Sequence, residues 1–90
     1  GNTTLVTAVK NGKITFPAGK TGTISVFCMG SDATGVTERG LYYKLENGTL
    51  TSGFPLGVSN HFTGEKAEIE VKDGSLLVLW ERKCGFPTRN

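Results

Sequence analysis

Short runs rich in Val, Ile, Thr, Phe and Tyr alternate with turn-forming positions along the whole 90-residue chain. The turn signals are Asn11-Gly12, Ala18-Gly19, Gly30-Ser31-Asp32, Asn47-Gly48, Gly53, Gly64 and Asp73-Gly74. Asn, Asp and Gly accept the positive φ that tight turns require, so these points predict chain reversals of the hairpin kind. Between them the pattern predicts strands over 4–9, 13–16, 23–29, 35–39, 41–45, 49–50, 58–62, 67–72 and 75–81, and no long helix. In Ala67-Glu68-Ile69-Glu70-Val71-Lys72 the apolar side chains fall on one face and the charges on the other, the mark of a strand buried on one side. Leu76-Leu77-Val78-Leu79-Trp80 is apolar at every position and is expected to be covered on both faces, by the opposing sheet and by a loop or a second subunit. The fold class expected is all-β, a compact antiparallel β-sandwich of jelly-roll type.

Composition narrows the class without naming a chemistry. Ninety residues support one domain, and 37% hydrophobic with 20% charged residues describes a folded chain rather than a disordered one. Its longest apolar run falls far short of the roughly 20 residues that span a bilayer. The formal charge of +2 resides in the last ten residues, where Arg82, Lys83 and Arg89 outnumber Glu81, while residues 1–80 carry seven basic and seven acidic side chains. A neutral body with a basic tail over 83–90 gives little support to a nucleic-acid or membrane surface. Cys28 and Cys84 form no C-x-x-C pair, and with His61 the only histidine no zinc set can be completed. A disulfide between the two is open on sequence alone. Without a signal peptide or a cysteine framework, both are taken as reduced thiols in a cytoplasmic protein.

Catalytic motifs are thin. Gly19-Lys20-Thr21 imitates the end of a phosphate-binding loop, but Ile14 stands where the motif needs its first glycine, and strand rather than helix follows. His61 and Ser59 lie two apart in an expected strand and would merely share a face, with no nucleophile elbow beside them. Glu65, Glu68 and Glu70 follow the spacing of a solvated strand face. Catalytic and metal-ligating residues are therefore expected to be absent from this chain. Ser59 and Asn60 are the sharpest polar candidates. Neighbours on a strand point to opposite faces, so both reach one ligand only if the strand ends or bends there. The Asn amide offers a donor and an acceptor together, which matches an aminopyrimidine edge and equally well a turn.

The order and spacing of several pieces carry more than any one of them. Gly40-Leu41-Tyr42-Tyr43-Lys44-Leu45, Leu50-Thr51-Ser52-Gly53 and Gly57-Val58-Ser59-Asn60 together resemble the C-terminal, thiamine-binding domain of thiamine pyrophosphokinases. That family has a G-L-K-Y-x-L strand, an L-x-x-G turn and a G-x-S-N segment in the same order. The resemblance runs from about Asn2 through Trp80, with Tyr42 where the family usually has Lys and His61 where many relatives have an acidic residue. It implies that Ser59 and Asn60 lie against thiamine and that Leu50 adds an apolar wall. Trp80 is open between packing in the core or a dimer interface and stacking beside the cationic thiazolium.

By this resemblance, residues 2–82 are a thiamine-binding β-sandwich domain that holds thiamine for pyrophosphoryl transfer from ATP, giving thiamine diphosphate. The ATP site, magnesium and the acidic residues of that chemistry would belong to an N-terminal catalytic domain absent from this chain, and the domain alone would be inactive. Family members are homodimers with the thiamine site between subunits. The expected partners are thus thiamine and a second copy, with no nucleic acid and no membrane. A different class of function, a non-catalytic carbohydrate-binding sandwich displaying Tyr42, Tyr43 and Trp80 as a stacking platform, fits the strand pattern as well.

Overall fold

The computed structural model describes residues 2–51 and 59–83, and its elements are all strands. They are β1 (Asn2–Lys10), β2 (Lys13–Phe16), β3 (Thr23–Cys28), β4 (Ala33–Arg39), β5 (Leu45–Leu50), β6 (Ser59–His61), β7 (Ala67–Glu70) and β8 (Ser75–Lys83). Two four-stranded antiparallel sheets form, in the orders β1-β8-β3-β6 and β2-β7-β4-β5. The pairs β1 with β8, β2 with β7, β3 with β6 and β4 with β5 are nested. A chain folded once into a long ribbon and then wrapped across two sheets gives this order, which is the jelly roll the strand pattern led us to expect.

The turns behave differently from the expectation of hairpins. Asn11-Gly12 joins β1 in the first sheet to β2 in the second, and Asp73-Gly74 joins β7 in the second to β8 in the first. Both are corners between layers. Asn11 takes the positive φ of 44° that its side chain tolerates, and its Oδ1 accepts the Gly74 N–H at 2.9 Å while its own N–H donates to Gly74 O at 3.0 Å. The two corners are thereby fastened to each other. Asn47-Gly48 is not a turn at all: it lies inside β5, where Asn47 has φ 49° and the register with β4 shifts. This is a bulge, and the Asn47 N–H donates to Thr37 Oγ1 at 3.2 Å.

One strand expectation is corrected. No strand runs over 41–45; Leu41 makes a single bridge to Phe62, and β5 begins only at Leu45 and takes in the expected short strand 49–50. Within one chain the Leu76–Trp80 run is covered on its inner face. Leu76 and Val78 are fully buried between the sheets, whereas Leu77 and Leu79 on the outer face are half-buried.

The core fills the space between the layers, with Ile24, Val26, Leu76 and Val78 from the first sheet meeting Val36, Ile69, Ala67 and Phe16 from the second. Cross-strand partners share a face, so each row can be followed across a sheet. The outer face of the second sheet is charged: Lys13 and Arg39 both pair with Glu68, at 3.4 and 3.3 Å. Cys28 is a free thiol packed against the core. Cys84, Gly53, Gly57, Val58 and the tail from 84 onward lie outside the described residues.

Candidate ligand site

The site is built where β6 faces the connection from β4 to β5. Asn60 pairs with Ile24 on β3, which turns its side chain inward and buries it. Across the layers stands Glu38, which pairs with the core residue Ile69 and therefore also points inward, 8% exposed. Asn60 Nδ2 donates to Glu38 Oε1 at 3.2 Å and to Tyr43 O at 2.7 Å. Its Oδ1 accepts from the backbone N–H groups of Tyr43 and His61, each at 2.9 Å. Two donors and two acceptor positions are all that an amide has, so the side chain is saturated by protein partners.

That amide explains why the Gly40–Lys44 segment needs no strand. Tyr42 N–H donates to His61 O at 3.0 Å, and the next ladder position is filled by the Asn60 side chain instead of a backbone. Gly40 makes the approach possible: its φ is 75°, and a Cβ there would run into the carbonyl oxygen of Lys66. Thr63 Oγ1 donates to Gly40 O at 2.9 Å and fastens the same bend from the other side. Tyr42 and Tyr43 are left 66% and 62% exposed, with their rings edge to face at 4.8 Å.

Beneath this segment lies an open pocket of about 400 Å³, lined among others by Glu38, Tyr42, Leu45, Glu46 and Thr63. Glu38 is the buried charged group in its wall, beside the buried Leu41. Burial raises its carboxyl above the ordinary glutamate range, and the Asn60 hydrogen bond offsets that only in part. The sequence reading did not single out Glu38. Its spacing from Val36, two residues away on an alternating strand, was the available signal that it faces inward.

The residues singled out from sequence are not all brought together. Asn60 and Trp80 flank Ile24 in one row of the inner face, two strand spacings or about 10 Å apart. Trp80 is half-buried and meets Phe16 edge-on at 5.0 Å, with Phe62 at 5.2 Å beyond it. Ser59 lies on the opposite, outer face beside Ser25 and is exposed. Leu50 is half-buried at the far end of β5 opposite Ala33, five strand positions from Glu38 along β4 or roughly 17 Å. The aromatic platform of the carbohydrate reading does not form: the Tyr42 and Tyr43 rings stand at 89°, and Trp80 turns inward onto Phe16.

The family profile "Thiamin pyrophosphokinase, vitamin B1 binding domain" matches residues 11–76, well over half of the chain. The chain belongs to this domain family. Solved structures agree on the fold. A thiamine pyrophosphokinase from Bacillus subtilis superposes with a TM-score of 0.78 at 20% identity, over 89% of this chain and 38% of its own. The enzyme from Geobacillus thermodenitrificans gives 0.78 at 18% identity, over 90% and 38%. A thiamin pyrophosphokinase family protein from Enterococcus faecalis gives 0.70 at 18%, over 89% and 37%. Among curated proteins none matches the chain. This vitamin B1 binding domain thus spans under two-fifths of the length of the solved relatives.

Proposed function

We propose that this domain binds thiamine and holds its hydroxyl toward a nucleotide carried elsewhere, as the substrate-positioning part of a thiamine pyrophosphokinase. The match of the vitamin B1 binding family over 11–76 carries this reading. What the domain contributes is proximity and orientation rather than bond-making groups. Among the described residues no three His, Cys, Asp or Glu side chains gather as a metal site. ATP and magnesium are assigned to the part of the enzyme that this chain does not span.

In this reading Ser59, exposed on the outer face and turned away from the pocket of its own chain, offers its hydroxyl to thiamine across the seam with a second copy. Asn60 acts as a positioning residue, because its amide fixes the Tyr42–Tyr43 segment beside the pocket. Trp80 supports the same region by packing on Phe16. Leu50 is too far along β5 to share a ligand with Asn60 inside one chain, so its part requires a second copy and a site between subunits. A homodimer is therefore included in the proposal. No helix among the described residues is long and apolar enough to cross a membrane, and a cytoplasmic location is proposed with the enzyme's ATP-dependent chemistry in view.

Calorimetric titration of the chain with thiamine tests the reading, with a parallel assay for thiamine diphosphate in the presence of ATP and magnesium. Saturable thiamine binding without turnover is the expected result. Turnover by these 90 residues would refute the division of labour, and absence of thiamine binding would refute the ligand.

A further inference from the structure

The pocket under the Gly40–Lys44 bend has a wall group that its surroundings leave incompletely solvated. Glu38 projects from the core face of β4, and among the described residues only Asn60 donates to its carboxylate. The other charged groups lining the pocket, Arg39, Lys44, Glu46 and Glu65, are exposed, while His61 on β6 is exposed beside Tyr42. Glu68 and Glu70 on β7 pair with Arg39 and Thr37 rather than Glu38, and so lie on the outer face. No cation is therefore buried with Glu38 among the described residues.

A volume of about 400 Å³ suits a single-ring ligand with a short substituent. A buried carboxyl with one free edge recognises a group that presents a donor and an acceptor side by side. We propose that this pocket seats an amino-substituted nitrogen heterocycle, with the Glu38 carboxyl pairing to the ring's amino group and adjacent ring nitrogen. The inference rests on the thiamine reading for the identity of the ring, thiamine's aminopyrimidine, and goes beyond it in naming Glu38 as the specificity-determining residue. In the paired state the carboxyl proton lies toward the ring nitrogen, and the carboxyl's second oxygen accepts from the amino group while still receiving Asn60 Nδ2. The raised titration of Glu38 favours the protonated carboxyl that this pairing uses. A glutamine side chain presents the same donor and acceptor, a leucine neither.

Titration of the chain by calorimetry with thiamine, its free aminopyrimidine half and its free thiazole half reads the proposal directly. The aminopyrimidine half should compete with thiamine. Glu38→Gln should bind both within about threefold of the wild type, and Glu38→Leu should bind both at least about tenfold more weakly, the loss expected for an unpaired polar ligand edge. Glu46→Trp, a bulky change at an exposed pocket position, should weaken thiamine to a similar extent, and it keeps the test decisive if Glu38→Leu fails to fold. Thiazole binding should not change in any of the three. Thiamine binding that survives both Glu38→Leu and Glu46→Trp but falls in Ser59→Ala overturns the placement at Glu38 and leaves the thiamine reading standing. No saturable binding of thiamine by the wild type overturns both.

Discussion

A carboxyl held between two apolar sheets loses more from its missing water than one hydrogen bond returns, and Glu38 is in that position. Its folded-state pKa is raised from 4.5, first by desolvation and against the opposing effect of Asn60. The native chain therefore holds this proton more tightly than the unfolded chain does. The stability Glu38 contributes is fully present below its ordinary value and is lost as pH rises through the raised one. Glu38→Gln, which keeps the shape and cannot ionise, should melt close to the wild type below the ordinary glutamate range and increasingly above it as pH rises through the raised value. Paired thermal melts followed by circular dichroism check this, and a difference that stays constant with pH would contradict it. Asn60 is the complementary case, since all four of its hydrogen-bonding positions are filled. Asn60→Ala should cost about 2 to 3 kcal/mol in chemical denaturation, because it strands the Glu38 carboxylate and the Tyr43 backbone together. An unchanged denaturation midpoint with weakened thiamine binding would instead make Asn60 a direct contact.

At the scale of elements, the β4–β5 connection carries the site, and Gly40 is its pivot. A methyl group there meets the Lys66 carbonyl in a backbone conformation that L side chains avoid, so Gly40→Ala should destabilise the domain by about 2 kcal/mol or more. Chemical denaturation should read this as a lowered midpoint with an unchanged denaturant slope. The same segment marks where sequence stops being informative. Strand β2 is visible residue for residue in its alternation, because local pattern and burial agree there. Leu41 to Leu45 has equal strand propensity, yet Tyr43 finds its partner in a side chain 17 residues away, which no local pattern encodes. Asn11-Gly12 announces a positive φ correctly. It cannot announce which sheet the next strand will join, and so a corner looks like a hairpin. Ser59 and Asn60 were recognisable as a pair from their motif, but their opposite facings follow only from the straight three-residue strand that contains them.

For the molecule as a whole, the two outer faces differ in kind. That of the second sheet holds the Lys13, Glu68 and Arg39 ion pairs and is suited to water. That of the first carries Val6 opposite Leu79, Ala8 opposite Leu77 and Phe27 opposite Leu77, with Val6 56% exposed. An apolar stripe of this kind on a small domain marks a contact surface, and a second copy is the occupant that the proposed site between subunits requires. Ser59 lies in the same row as Val6, reached through Leu79 and Ser25, so a dimer formed on this face would enclose its hydroxyl. Sedimentation of the chain should show concentration-dependent dimers. Val6→Lys should shift them to monomers while changing the stability of the monomer by no more than about 0.5 kcal/mol, as for other exposed positions. If thiamine is held between copies, the same substitution should weaken its binding, and raising the protein concentration should restore part of that loss by mass action. Monomers at every concentration, with thiamine bound as tightly in Val6→Lys as in the wild type, would place the whole ligand site within one chain.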